Sequence, residues 1–235
     1  MTATLTRRLA AEFIGTGFLV TAVVGSGIMG ERLAGGNAAI ALLANTISTG
    51  AALIVLILTF GPISGAHFNP AVTLVDAIEG GLRWLDAACY VVAQCIGAVC
   101  GTMAAHLMFN LPIISISQHA RSGGAQLFSE FIAAFGLLCV IWGCSRSRAE
   151  IVPFAVGLYI AAAYWFTAST SFANPAVTIA RCLSDTFAGI RPEDVAGFIA
   201  AQISGALAAT FLFQWLTPHQ RSTADAIVVP RPDSD

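Results

Sequence analysis

HFNPAVTL at residues 67–74 and FANPAVTIAR at residues 172–181 contain the same five letters, Asn-Pro-Ala-Val-Thr, 105 positions apart. Asparagine is a good helix N-cap, and proline suits the first helical turn, where its missing N–H would have no partner anyway. Each copy therefore predicts a helix start. Each follows a stretch containing Gly or Ser (GPISGAHF and TASTSF) and leads into an apolar piece of about ten residues. That is too short to cross a hydrocarbon core of about 30 Å.

Two further segments echo one another in the same order. LAAEFIGTGFLV (9–20) is answered by LFSEFIAAFGLL (127–138), and AQCIGAVCGTMAA (93–105) by AQISGALAATFLF (201–213). The three matched blocks are offset by 118, 105 and 108 residues, which points to an internal duplication. The halves are residues 8–109 and 125–217, joined by NLPIISISQHARSGG (110–124), whose Pro, Ser and Gly mark a connection.

Composition places this duplication in a membrane. Of 235 residues, 57% are hydrophobic and 10% charged, too apolar for an ordinary soluble core. Runs long enough to span occur at about 9–30, 38–60, 87–109, 125–144, 151–170 and 195–217. The first run has Glu12 inside it and no clear cleavage site, so it reads as a span and not as a removed leader. Each half then holds three spans and one short segment. An odd number of spans forces the second half to enter upside down, giving an inverted repeat about an axis in the membrane plane. The expected fold is an all-α membrane protein with six transmembrane helices plus two re-entrant half-helices in an inverted 3+3 repeat. The whole of 1–235 is one membrane domain, and 218–235 is a flexible cytoplasmic tail.

Charge excludes some classes. The net charge is −2, so no basic patch argues for a nucleic-acid partner, and all eleven basic residues are arginine. A cytoplasmic N-terminus puts Arg7, Arg8, Arg83, Arg146, Arg148, Arg221 and Arg231 inside and Arg32, Arg121, Arg181 and Arg191 outside, the favoured sense. Cys89, Cys95, Cys100, Cys139, Cys144 and Cys182 form no C-x-x-C pair. Five of them fall in hydrophobic runs and read as packing residues, and Cys182 lies near the second motif. His106, His119 and His219 are scattered without metal spacing, and no nucleophile-base constellation stands out. No catalytic residue, cofactor or metal is expected. An ion-coupled transporter also uses inverted repeats and broken helices. With no acidic or hydroxyl cluster beyond Glu12 and Glu130, the residues favour a passive pore.

The doubled Asn-Pro-Ala, AEFIGT with its partner SEFIAA, SGAHFNPAVTL and the two AQ-x2-GA stretches resemble the aquaporin and aquaglyceroporin family over about residues 8–217. The run AAAYWFTASTSFANPAVTIARCLSDTFAGI is similar to bacterial members associated with arsenic resistance. The resemblance implies a homotetramer in the bacterial inner membrane, with one pore per subunit for small neutral solutes. The half-helices meet at the midplane. Asn69, Pro70 and Ala71 face Asn174, Pro175 and Ala176, and the combined positive helix ends repel cations. Carbonyls of the extended stretches 65–68 and 169–173 mark the approach from either side.

For the flanking residues two readings stand. Glu12 and Glu130 act as proton-coupling groups, or, as the resemblance implies, accept hydrogen bonds from backbone near the half-helices. His67, beside Phe68 at the pore, senses pH or is a neutral lining donor.

In water channels of the family the second motif continues with arginine, where this chain has Val177. Family spacing brings the other filter positions to Thr49, Ser171 and Ala162, with Leu158 or Tyr159 as substitutes for the last if there is a gap. A filter of Thr49, Ala162, Ser171 and Val177, without arginine, histidine or ring, is wider than a water filter and suits solutes with several hydroxyls, such as glycerol and arsenous acid. Alternatively, Val177 merely repeats Val72 of the first half, and the protein is an ordinary water-selective channel. Phe172 lines the pore, and Arg181, one turn beyond Val177, is either a filter charge displaced into the external vestibule or a snorkelling arginine paired with Asp185.

Overall fold

The computed structural model describes residues 3–217, all helical or irregular. In chain order the helices are α1 (Leu5–Leu33), α2 (Ala38–Ser64), α3 (Pro70–Glu79), α4 (Trp84–Met108), α5 (Gly124–Ser145), α6 (Val152–Phe166), α7 (Pro175–Arg181) and α8 (Pro192–Leu216), with a 3-10 turn Ala149–Ile151 leading into α6. Six are long and apolar enough to cross a membrane, the fifth counted from the turn. The two short ones, α3 and α7, start at the Asn-Pro pairs. The chain thus has the expected inverted 3+3 arrangement. Some boundaries differ: α1 starts at Leu5 and not near 9, α2 runs to Ser64 and not near 60, and α6 stops at Phe166 and not near 170, because Thr167 turns extended and opens the irregular stretch before α7.

Large apolar side chains point outward all round the bundle, Phe18, Ile47, Val92, Leu158 and Phe211 among them. Lipid is as apolar as these side chains, so the helices are not driven together by hydrophobicity and rely on close packing and internal hydrogen bonds. Small residues permit the approach. Gly97 of α4 lies against the Phe13 carbonyl of α1, where a Cβ would collide, and in the second half Gly205 of α8 lies against Phe131 of α5 in the same way. Between the halves, α2 and α6 cross at Gly50 and Gly157, where a Cβ on either would stand 3.0 Å or 2.6 Å from the other's carbonyl oxygen.

Polar contacts tie the ends together. On the face with the start of α1, Arg8 pairs with Asp86 at 3.2 Å and Arg146 with Glu79 at 3.8 Å. On the opposite face, Arg32 donates to the Phe109 carbonyl and Arg191 pairs with Asp194. Arg221, Arg231 and the 218–235 tail lie outside the described residues. The connection at 110–123 is more than a linker. Its Ser115 and Ser117 N–H groups donate to the carbonyls of Leu183 and Cys182, which lays the loop over the end of α7.

Candidate functional site

Building the site starts with two buried carboxylates. Glu12 accepts from the His67 and Phe68 amides at 3.0 and 2.8 Å, from Ser64 Oγ and from Gln94 Nε2. Glu130 repeats the set with Phe172, Ala173, Ser169 and Gln202. Both carboxyl groups are fully buried, and each is surrounded by donors, which offsets the cost of burying a polar group there. Of the two readings for these residues, the geometry is that of backbone support.

The stretches they hold are not extended, contrary to expectation. Ala66 and Phe68 have φ near +50°, and Thr170, Ser171 and Ala173 lie between +48° and +62°. Each left-handed non-glycine residue costs on the order of 1–3 kcal/mol unless its surroundings impose it. The carboxylates impose it by pulling amides to one side, so that successive N–H groups face Glu12 or Glu130.

The stretches end at the capping asparagines. Asn69 Oδ1 accepts from the Ala71 amide, and Asn174 Oδ1 from those of Ala176 and Val177. Each Nδ2 then crosses to the other half: Asn69 donates to the Ala173 carbonyl at 2.8 Å and Asn174 to the Phe68 carbonyl at 2.7 Å. A side-chain amide has two N–H donors. One locks the halves together, and the other remains for whatever passes.

Both asparagines line one cavity between the half-helices. One wall is polar, with Asn69, Asn174 and the irregular stretches. The other is apolar, with Val23, Leu53 and Ile57 opposed to Leu137, Ile141 and Val156. His67 and Phe68 line it on the first-half side. His67 Nδ1 is 3.1 Å from Thr73 Oγ1, and Nε2 is 3.7 Å from Asp76 Oδ2.

Of the four filter positions, the structure brings Thr49, Ser171 and Val177 to the cavity wall. Ala162 is not there. It is exposed on the outer face of α6, because two residues along a helix rotate a side chain by about 200° from the inward-facing Ile160 and Tyr164. The substitutes fail as well: Leu158 is 65% exposed, and the Tyr159 hydroxyl donates to α5 carbonyls. The place is taken by Tyr164, whose hydroxyl donates to Thr49 Oγ1 at 3.3 Å. The chamber therefore has a ring after all.

It also has an arginine. Arg181 lines the cavity, is 2% exposed and lies over the Phe172 ring at 3.3 Å. That excludes a side chain snorkelling to the surface, and Asp185 is occupied with the Gln118 amide. Three contributors were missed in the sequence. Tyr164 could have been found from its four-residue spacing to Ile160, and Asp76 from its alignment with Arg181 at the 105-residue offset. Arg121, reaching in from the connecting loop, left no signal.

A chamber lined by both half-helices and enclosed among six membrane-spanning helices is the architecture of a membrane pore. The sequence model described as Major intrinsic protein matches residues 1–171 and again 145–233, and the chain belongs to that family. It is 58% identical over 212 residues to Aquaglyceroporin AqpS of Rhizobium meliloti (strain 1021), covering 90% of this chain and 91% of that protein. It is 30% identical over 217 residues to the Probable aquaporin NIP4-2 of Arabidopsis thaliana, covering 90% and 75%. In fold it matches the X-ray structure of the aquaglyceroporin from Plasmodium falciparum with a TM-score of 0.72 at 22% identity, over 92% of this chain and 98% of that one. The protein is a multi-pass membrane channel for small solutes and not an enzyme.

Proposed function

We propose that the channel passes small uncharged polyhydroxylated solutes, glycerol and arsenous acid among them, with some water, down their gradients across a bacterial inner membrane. The observation that carries this reading is the residue after the second Asn-Pro-Ala. Val177 offers an apolar wall where an arginine would reach across, and the hydroxyl residues Thr49 and Ser171 line the same chamber. A solute with several hydroxyls slides along the apolar wall while its oxygens exchange partners on the polar one. At the centre its acceptor oxygen turns to the free N–H of Asn69 and of Asn174. A water there is oriented the same way, which interrupts any hydrogen-bonded wire for protons, and the two helix N-termini oppose hydronium.

Stopped-flow permeability of the purified protein in vesicles tests this with water, glycerol and arsenous acid. Passage of all three, without accumulation against a gradient, is the expected result. A second reading, a water-selective channel, draws support from Tyr164 and Arg181 facing the chamber, and passage of water alone would establish it. Gradient-driven accumulation would overturn both.

The same reading places both termini in the cytoplasm. Among the described residues Arg7, Arg8, Arg83, Arg146 and Arg148 share the face of the N-terminus, against Arg32, Arg121, Arg181 and Arg191 on the other. It also assembles four chains, each with its own pore, through the outward apolar faces, which cross-linking in native membranes measures.

A further inference from the structure

The outer chamber has donors in excess. Arg181 Nε donates to the Ala188 carbonyl, but its two terminal nitrogens meet no acceptor among the described residues. No carboxylate there lies within ion-pair distance of it. A second cation sits across the Phe172 ring: the Arg121 guanidinium carbon is 5.0 Å from the ring centroid. Its nitrogens donate to the carbonyls of Gly189, Ser169 and Phe187, and Asp194 binds only its main-chain amide. Burial pushes Arg121 down to about 10, so it stays charged at neutral pH. In the same cavity wall, Ser171 Oγ is buried with no hydrogen-bond partner.

Buried polar groups are nearly always paired, and a buried charge without a counter-charge is costly. Glu130 acts on both guanidiniums only from beyond ion-pair distance, and the carbonyls around Arg121 occupy its own nitrogens, so the two terminal nitrogens of Arg181 and the Ser171 hydroxyl are left without an acceptor among the described residues. The first half has nothing equivalent, since the positions matching Arg181 and Ser171 are Asp76 and Ala66. We propose that the outer chamber is a binding subsite for a small oxyanion, the Arg181 fork taking two of its oxygens and Ser171 Oγ a third. A planar guanidinium matches paired oxygens in this way. The proposal rests on the donors of this chamber and not on which neutral solute crosses.

Calorimetric titration of inorganic phosphate into the full-length protein, in a phosphate-free detergent at fixed ionic strength, tests it. One saturable site per chain is expected. Arg181→Gln lowers the affinity at least tenfold, and Ser171→Ala, which removes a hydroxyl without a protein partner and so spares the fold, lowers it about threefold. Arg32→Gln on the same face leaves it unchanged. Absence of binding to the wild type, full retention in Arg181→Gln, or equal loss in Arg32→Gln overturns the proposal. So does binding of short-chain phosphatidylglycerol but not of phosphate, because a lipid headgroup would then be the ligand.

Discussion

Asp76 and Arg181 occupy the same position on the two half-helices, seven residues beyond the capping asparagine, and carry opposite charges. Both are almost fully buried, Asp76 beside His67 and Arg181 over Phe172. The partners correspond as well, since His67 and Phe172 are themselves 105 positions apart. A duplicated scaffold has thus been given an acid towards one mouth and a base towards the other.

The Arg181 guanidinium opposes cations in the pore. Arg181→Gln is expected to raise proton leak into vesicles at least twofold under an imposed potential, read with an internal pH dye. An unchanged leak would leave the whole barrier at Asn69 and Asn174.

Val177 precedes Arg181 by one helical turn on the cavity side of α7. Val177→Arg puts a second guanidinium there, fills the chamber and sets like charges at i,i+4. Glycerol flux in stopped-flow vesicles is expected to fall at least tenfold and water flux less than threefold.

Tyr164 is the ring of the chamber. Tyr164→Phe loses one hydroxyl bond to Thr49, worth about 1 kcal/mol, and keeps the size limit. Tyr164→Ala is expected to admit erythritol several-fold faster than wild type, while glycerol flux changes less.

Glu130→Gln replaces an oxygen that accepts from backbone with an amide that donates. The remaining oxygen still accepts from one pair of donors, but the other pair, either Ser169 Oγ with the Phe172 amide or Gln202 with the Ala173 amide, now faces an NH2 group, at a cost on the order of 3 kcal/mol. The half-life of the folded protein in detergent at fixed elevated temperature should shorten at least tenfold, and Glu12→Gln should match it because the two sites are built alike.

Gly97→Val and Gly205→Val drive a side chain into the carbonyls of Phe13 and Phe131. Overpacking of this kind costs on the order of 1–3 kcal/mol, and both variants are expected to give little monodisperse protein by size exclusion.

Much of the architecture is legible in the sequence itself. Asn-Pro marks a helix start by local chemistry, apolar run length counts the spans, and three echoes at nearly constant offset carry the duplication. Inversion then follows from the parity of three spans. Glu12 and Glu130 were recognisable as paired because the same echo contains them. These features are local or periodic, so neighbouring residues in the chain suffice to reveal them.

The chamber wall was a different matter. Ala162 was placed by counting, but which side of α6 faces inward depends on its crossing with α2 at Gly50 and Gly157, and that rotation brought Tyr164 into the pore instead. Arg181 looked equally suited to the vestibule or the lipid surface until the loop at 110–123 folded over α7 and enclosed it. Arg121 became part of the mouth through the same loop. Contacts between segments far apart in the chain set helix rotation and loop docking, and no spacing within a single segment encodes them.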